Sequence, residues 1–124
     1  MTRRIVQIGE RVPMSEVRSI AARYDYNGFP VVTPEGRLVG MITKGDLLRV
    51  ACAALADPEI WRAPVSRFMA REVSALRPMD SMASAVQHMA ESNLRSLPVI
   101  DADRRVVGMV SRNDLMVAII PETS

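Results

Sequence analysis

The chain has 124 residues, 48% of them hydrophobic and 24% charged, which is typical of a globular protein of one domain's size. A net charge of +2 and only two Phe, two Tyr and one Trp exclude the basic, aromatic-rich surface of a nucleic-acid binder. No apolar run is long enough to cross a bilayer, so we expect no membrane insertion. The single cysteine, Cys52, cannot form an internal disulfide, which is consistent with a reducing compartment, and we therefore expect a cytoplasmic protein.

The chain repeats itself once, at a spacing of 68 residues and without a gap. The identical pairs include Met14 and Met82, Pro30 and Pro98, Gly40 and Gly108, and Asp46 and Asp114. Such a duplication predicts two copies that share one core around a pseudo-two-fold axis, with equivalent clefts where they meet. We assign the first repeat to residues 1–56, a linker and lead-in segment to 57–68, and the second repeat to 69–124. Residues 64–68 have no counterpart before Met1, so either the first copy was trimmed or its lead-in lies in a longer parent protein.

The first repeat predicts, in chain order, a strand at 5–8, a helix at 14–21, strands at 29–32 and 38–42, and a helix from 43 to about 55. The first helix follows from apolar residues at helical spacing, and the strands from short runs of branched apolar residues. Between the hairpin strands, Pro34 and Gly36 mark a turn, because proline presets one turn dihedral angle and glycine accepts a positive one.

The second repeat follows the same plan, with a strand marked by Val73 and Leu76, a helix at 82–89, hairpin strands at 98–100 and 106–110, and a helix from 111 to about 120. Asp101 and Asp103 mark the turn of this hairpin, and Pro121 ends the last helix. Both repeats therefore predict the order β-α-β-β-α and an α+β fold.

One motif occurs at the same point of both repeats, directly after the last strand and at the start of the last helix. It comprises Thr43, Lys44 and Asp46 in the first repeat, and Ser111, Arg112 and Asp114 in the second. A hydroxyl residue at a helix start with an acid three residues later is typical of a capping box, in which both side chains satisfy free backbone donors. For a single copy, this structural explanation is the stronger one.

The same atoms also suit a nucleotide. A helix start after a strand offers free N–H groups and a partial positive charge to a phosphate. A hydroxyl and a cationic side chain add to this attraction, and a nearby carboxylate accepts hydrogen bonds from both ribose hydroxyls. Because capping does not require both copies to keep the pattern at the same distance from a hairpin, the duplication favours nucleotide binding over capping alone.

The duplicated motif and its surroundings resemble a tandem pair of CBS (cystathionine-β-synthase) domains, known as a Bateman module. The resemblance covers nearly the whole chain. It is carried by the starts Met1-Thr2-Arg3 and Met69-Ala70-Arg71, by Gly28-Phe29-Pro30-Val31 and Ser96-Leu97-Pro98-Val99, and by the residues 40–48 and 108–116.

The resemblance implies a regulatory module that binds adenine nucleotides or related adenosyl ligands in the clefts between the repeats. It implies that Asp46 and Asp114 hold ribose and that Thr43 and Ser111 approach phosphate. The implied base pockets are lined by Gly28, Phe29, Pro30, Ser96, Leu97 and Pro98, with backbone groups contacting the adenine edge. Ile8 and Leu76 are either base-packing residues or core residues.

The resemblance further implies AMP, ADP or ATP as a regulatory ligand, with no required cofactor, and an attached or partner effector protein. It also implies a homodimer, and exposed apolar helix faces predict the same. The residues expected on those faces are Leu47, Leu48, Met82, Val86, Met89 and Met116. The alternative is a dimerising interaction scaffold that binds no small molecule, because the family includes members without a ligand.

The two sites are expected to differ in charge. Three arginines of the second repeat, Arg95, Arg104 and Arg112, replace Asn27, Gly36 and Lys44 of the first. Because a guanidinium fork matches phosphate oxygens two at a time, we expect the site of Ser111 and Asp114 to prefer ligands with more phosphates.

No catalytic set of residues is evident. His88 is the single histidine, so neither a Ser–His–acid set nor a His-rich metal site can be assembled, and we expect it to be solvated. Cys52 is expected to be a small buried hydrophobe. The sequence therefore predicts a binding module that is not an enzyme.

Overall fold

The computed structural model describes residues 5–92 and 94–119. In chain order, its elements are β1 (Ile8–Gly9), α1 (Met14–Arg23), β2 (Gly28–Val32), β3 (Leu38–Thr43), α2 (Lys44–Ala56), two short 3-10 helices (Pro58–Arg62 and Val65–Arg67), α3 (Met82–Glu91), β4 (Ser96–Ile100), β5 (Val106–Ser111) and α4 (Arg112–Ile119). The α+β class is confirmed. The described chain divides into an N-terminal unit, Val6–Val73, and a C-terminal unit made of Ile5 and residues 74–119.

The N-terminal unit is built on a sheet with the strand order β1-β2-β3. β1 runs parallel to β2, while β2 and β3 form the predicted antiparallel hairpin, in which Pro30 lies opposite Met41. β2 is buried along its whole length, as expected for a central strand of apolar residues. The apolar side of α1 joins it in one cluster, whose buried members include Met14, Val17, Ala21, Phe29, Val31, Ile42 and Val50.

Residues 65–70, which follow α2 and the first 3-10 helix, belong to the N-terminal unit and pack against its core and β3. Val65 is fully buried in its core, and Ala70 exchanges two backbone hydrogen bonds of 2.9 Å with Met41 of β3. Gly40 permits this approach, because a Cβ there would lie 2.5 Å from the Met69 Sδ atom and 2.7 Å from the Ala70 carbonyl oxygen. The compact unit thus extends past the predicted linker at 57–68, and the boundaries of the sequence repeats stay a prediction.

The C-terminal unit repeats the hairpin with β4 and β5, where Pro98 lies opposite Met109. Leu76 forms a parallel bridge to Val99, matching the pairing of Ile8 with Val31 in the N-terminal unit. The buried cluster of this unit comprises Leu76, Ala85, Met89, Leu97, Val99 and Leu115. No helix in the described part of the chain combines the length and apolar character that a membrane span needs.

Some expectations about local structure are wrong. Ile5, Val6 and Val73 lie outside the strands, because a short extended segment counts as a strand only where a neighbour pairs with it. The described buried side chains include one cluster in each unit, and a core shared by the two copies stays a prediction. Cys52 is exposed on α2 instead of buried. Ile120 and Pro121, the predicted end of the last helix, lie outside the described residues.

Candidate functional site

The start of α2 is closed by a reciprocal pair of hydrogen bonds. The Thr43 Oγ1 atom accepts a hydrogen bond from the backbone N–H of Asp46 (3.1 Å), and Asp46 Oδ2 accepts one from the backbone N–H of Thr43 (2.9 Å). Thr43 has the extended backbone angles of a helix N-cap, with φ −106° and ψ 166°. The motif is a complete capping box.

The start of α4 has the same arrangement. The Ser111 Oγ atom accepts a hydrogen bond from the backbone N–H of Asp114 (3.0 Å), and Asp114 Oδ2 accepts one from the backbone N–H of Ser111 (2.9 Å). The capping explanation is therefore confirmed in both units. It does not exclude a ligand, because a carboxylate has about four acceptor positions and the cap engages one of them.

The basic residue after each cap holds the segment that precedes the hairpin. The backbone N–H of Lys44 donates to the Asn27 carbonyl oxygen (3.0 Å), and its Nζ atom lies 3.7 Å from Asp25 Oδ1. In the C-terminal unit, the Arg112 Nε atom donates to the Leu94 carbonyl oxygen (3.2 Å). Both cations thus have protein partners at the helix starts, and their contact with a phosphate stays a prediction.

The six residues expected to line the base pockets form the starts of β2 and β4, and all six are buried. The Phe29 and Leu97 side chains have no exposed surface and belong to the cores. These two side chains are thus packed in the cores, and contact of the backbone groups of these six residues with an adenine edge stays a prediction. Ile8 and Leu76 are 1% and 3% exposed, so the core alternative is confirmed for both.

Arg49 is a neighbour of the site that the sequence analysis missed. Its Nη2 atom donates to Asp46 Oδ1 at 2.5 Å, on the oxygen that the capping box does not use. The available signal was the spacing of acid and base, because residues three apart on a helix lie on the same face.

Two tyrosines beside Asp25 were also missed. The rings of Tyr24 and Tyr26 stack with centroids 5.6 Å apart, and the Tyr26 ring lies 6.0 Å from that of Phe29. Both half-buried rings pack against the N-terminal core, and Asp25 between them in sequence pairs with Lys44 at the start of α2. They lie outside the repeated motif, and no periodicity marked them.

Arg104 does not lie near the cap of α4. Ser96 pairs with Ser111 at one end of the β4–β5 hairpin, whereas Arg104 lies in the turn beyond the opposite end. Arg112, whose backbone N–H donates to the Arg95 carbonyl oxygen (2.8 Å), begins α4 at the Ser111 end. The predicted charge difference therefore rests on Arg95 and Arg112 alone.

His88 is half-buried on α3, so the expectation of a solvated histidine is wrong. Its Nδ1 atom is buried and has no hydrogen-bond partner among the described residues. Within residues 5–92 and 94–119, no three His, Cys, Asp or Glu side chains are grouped as metal ligands.

The helices expose several large apolar side chains. On α2, Leu48 is 73% and Leu55 is 87% exposed, and on α4 Val117 is 65% exposed. A groove of about 260 Å³ in the C-terminal unit is lined by Val86, Met89, Ala90, Arg112, Leu115 and Met116. Two residues expected on an interface, Leu47 and Met89, pack instead with the cores.

Two segments of the chain match the same family model. The model for the CBS domain matches residues 1–52 and 65–121. The chain belongs to the CBS domain family. It is 31% identical over 117 residues to the CBS domain-containing protein YhcV of Bacillus subtilis (strain 168), and the match covers 94% of this chain and 80% of YhcV.

Solved CBS structures have similar folds. The CBS domain pair of protein MJ0100, in complex with 5′-methylthioadenosine and S-adenosyl-L-methionine, has a TM-score of 0.78 and 25% identity, over 95% of this chain and 90% of that chain. The cytosolic domain of the Mg²⁺ channel MgtE, in complex with ATP, has a TM-score of 0.77 and 27% identity, over 93% of this chain and 45% of that chain.

The chain is much shorter than some relatives. It spans 21% of the length of the homoserine O-acetyltransferase of Methanohalobium evestigatum, to which it is 29% identical over 111 residues. The similarity concerns one segment of that enzyme, and the activity is a property of the whole protein.

Proposed function

We propose that this CBS chain is a regulatory module, not an enzyme, that binds adenine nucleotides or related adenosyl ligands at the starts of α2 and α4. Each repeat, 1–56 and 69–124, supplies one such site. Asp46 and Asp114 hold the ribose hydroxyls, while Thr43 and Ser111 face the phosphate. The ligand is AMP, ADP or ATP acting as a regulator, and no cofactor is required.

The observation that carries this proposal is the paired cap. The same hydroxyl and carboxylate close two helix starts that follow buried hairpins, and each helix start provides the partial positive charge that favours an anion. The adenosyl ligands of the MJ0100 and MgtE structures support the choice of ligand class.

A panel of thermal melts tests the proposal. A ligand present at a hundred times its dissociation constant stabilises the native state by about 2.7 kcal/mol, so AMP, ADP, ATP or S-adenosylmethionine is expected to raise the melting temperature by several degrees. GMP is the matched control for the base. If no adenosyl ligand raises the melting temperature at millimolar concentration, the chain is not a nucleotide sensor.

We also propose that the module is a homodimer. The exposed leucines of α2, together with Cys52 between them, stand at positions i, i+4 and i+7 and therefore share one helix face. Apolar side chains this exposed favour burial against a partner. This same face supports the second candidate function, a dimerising scaffold without a small-molecule ligand, which the thermal panel separates from the first.

The effector is a further part of the proposal. Because the chain corresponds to a fifth of some relatives, we propose that it transmits its ligand state to an attached or partner protein. A cytoplasmic location, where adenine nucleotides are abundant, is supported by the similarity to the cytosolic domain of MgtE.

A further inference from the structure

The Arg49 side chain folds back over the first turn of α2. Its Nη2 atom donates to Asp46 Oδ1 at 2.5 Å. Its Nη1 and Nη2 atoms lie 3.9 Å and 4.0 Å from the place where a Cβ on Gly45 would stand. These are ordinary van der Waals distances, so the guanidinium lies directly against this turn.

Arg49 covers a carboxylate that is otherwise enclosed by the helix start. The Asp46 side chain is 18% exposed, whereas the Arg49 side chain is 75% exposed. The Arg49 guanidinium therefore lies between the Asp46 carboxylate and solvent. Because of this position, a ribose that approaches Asp46 Oδ1 contacts the guanidinium first. A cover of this kind can move at little cost, because surface ion pairs are weak.

The second repeat carries different residues at these positions. The counterparts of Gly45 and Arg49 are Asn113 and Val117. Valine has neither charge nor hydrogen-bond donor in its side chain, so position 117 cannot form this cover over Asp114.

We propose that Arg49 is a phosphate-dependent latch that makes the N-terminal site select phosphorylated adenosine ligands. This inference rests on the proposed function. Because Arg49 pairs with Asp46 Oδ1, a ribose that binds this oxygen must displace the guanidinium. When the ligand carries a phosphate at the start of α2, the guanidinium transfers from the carboxylate to the phosphate oxygens, which suit its fork. Adenosine, which carries no anionic group, displaces Arg49 without offering it a new partner.

Titration calorimetry of the Arg49→Val variant with AMP and with adenosine tests the latch. Both this variant and its reference carry Asp114→Asn, which weakens the C-terminal site so that the measured binding is that of the N-terminal site. Loss of the cover is expected to tighten adenosine binding about twofold to fivefold, the range of a surface ion pair. Loss of the charge-assisted phosphate contact is expected to weaken AMP binding about tenfold. A merely structural role for Arg49 would change the affinities for adenosine and AMP in the same direction, whereas the latch changes them in opposite directions.

Arg62→Val is the matched control, because Arg62 forms an i,i+3 pair with Glu59 at 3.5 Å on a 3-10 helix that is not part of the site. It is expected to change neither affinity. The latch is overturned if Arg49→Val shifts both ligands in the same direction or shifts neither, while Asp46→Asn still weakens AMP binding. If Asp46→Asn leaves AMP binding unchanged, the proposed site and the latch both fail.

Discussion

Gly36 and Arg104 occupy equivalent positions in the two hairpin turns, and both have a positive φ, 86° and 64° respectively. A residue with a Cβ costs about 1–2 kcal/mol in this left-handed region. The second turn offsets the cost through Asp101, whose Oδ1 atom accepts hydrogen bonds from the backbone N–H groups of Asp103 (2.8 Å) and Arg105 (2.9 Å). The positive angle was predictable for glycine and not for arginine, whose residue type carries no signal for it.

Arg104→Gly is expected to raise the free energy of unfolding by roughly 0.5–1 kcal/mol, because relief of the strained dihedral angle outweighs the extra entropy of the unfolded chain. Gly36→Ala is the matched control and is expected to lower it by roughly 0.5–1 kcal/mol, because the new strain outweighs the smaller entropy of the unfolded chain. Urea unfolding followed by circular dichroism measures both. A loss of stability in Arg104→Gly contradicts the strain argument.

At the scale of elements, both hairpins and all four helices were predictable, because periodicity and turn residues act locally. β1 is shorter than predicted, and the packing of residues 65–70 on the N-terminal unit was missed. Both features depend on partners distant in sequence, and local patterns do not report such partners. Val65 is an example: it is fully buried under a hairpin about 25 residues earlier in the chain.

Gly40→Ala tests the contact between β3 and this segment. A Cβ at position 40 would overlap Met69 and the Ala70 carbonyl, so we expect a loss of about 1–3 kcal/mol in stability and faster hydrogen exchange at the Ala70 amide. Gly45→Ala, at a helical position where a Cβ would make only ordinary contacts of 3.6 Å or longer, is expected to gain up to about 1 kcal/mol. Equal stability of the two variants would show that position 40 tolerates a side chain.

At the scale of the whole molecule, the capping residues of both sites were predictable because they recur at a fixed spacing. The neighbours that shape each site were not. Arg49 and Tyr26 of the first repeat correspond to Val117 and Leu94 of the second. Because these positions are not repeated, a comparison of the two repeats identifies the capping motif but not the residues around it. The burial of the predicted base-pocket side chains also depends on packing that a short motif does not specify.

The homodimer is expected to depend on the exposed face of α2. Leu48→Glu combined with Leu55→Glu places two charges on that face, and we expect the double variant to have the monomer mass of 13.7 kDa in light scattering. Met79→Glu is the control, because Met79 is 93% exposed and lies in the turn before α3 rather than on α2. A wild-type chain that is monomeric at all concentrations contradicts the dimer.

The central claim is that Asp46 and Asp114 bind the ribose of an adenosyl ligand, and calorimetric titration of the Asp46→Asn, Asp114→Asn double variant with AMP tests it most directly. Asparagine keeps the shape but replaces an acceptor by a donor, so each substitution is expected to cost about 1.5–3 kcal/mol of binding and the double variant to lose measurable affinity. Ser81→Ala is the control for the loss of a helix cap, because Ser81 caps α3 by accepting a hydrogen bond from the backbone N–H of Ser84 (3.1 Å). The Ser81→Ala variant is expected to bind AMP with wild-type affinity. A folded double variant that binds AMP with wild-type affinity contradicts the claim.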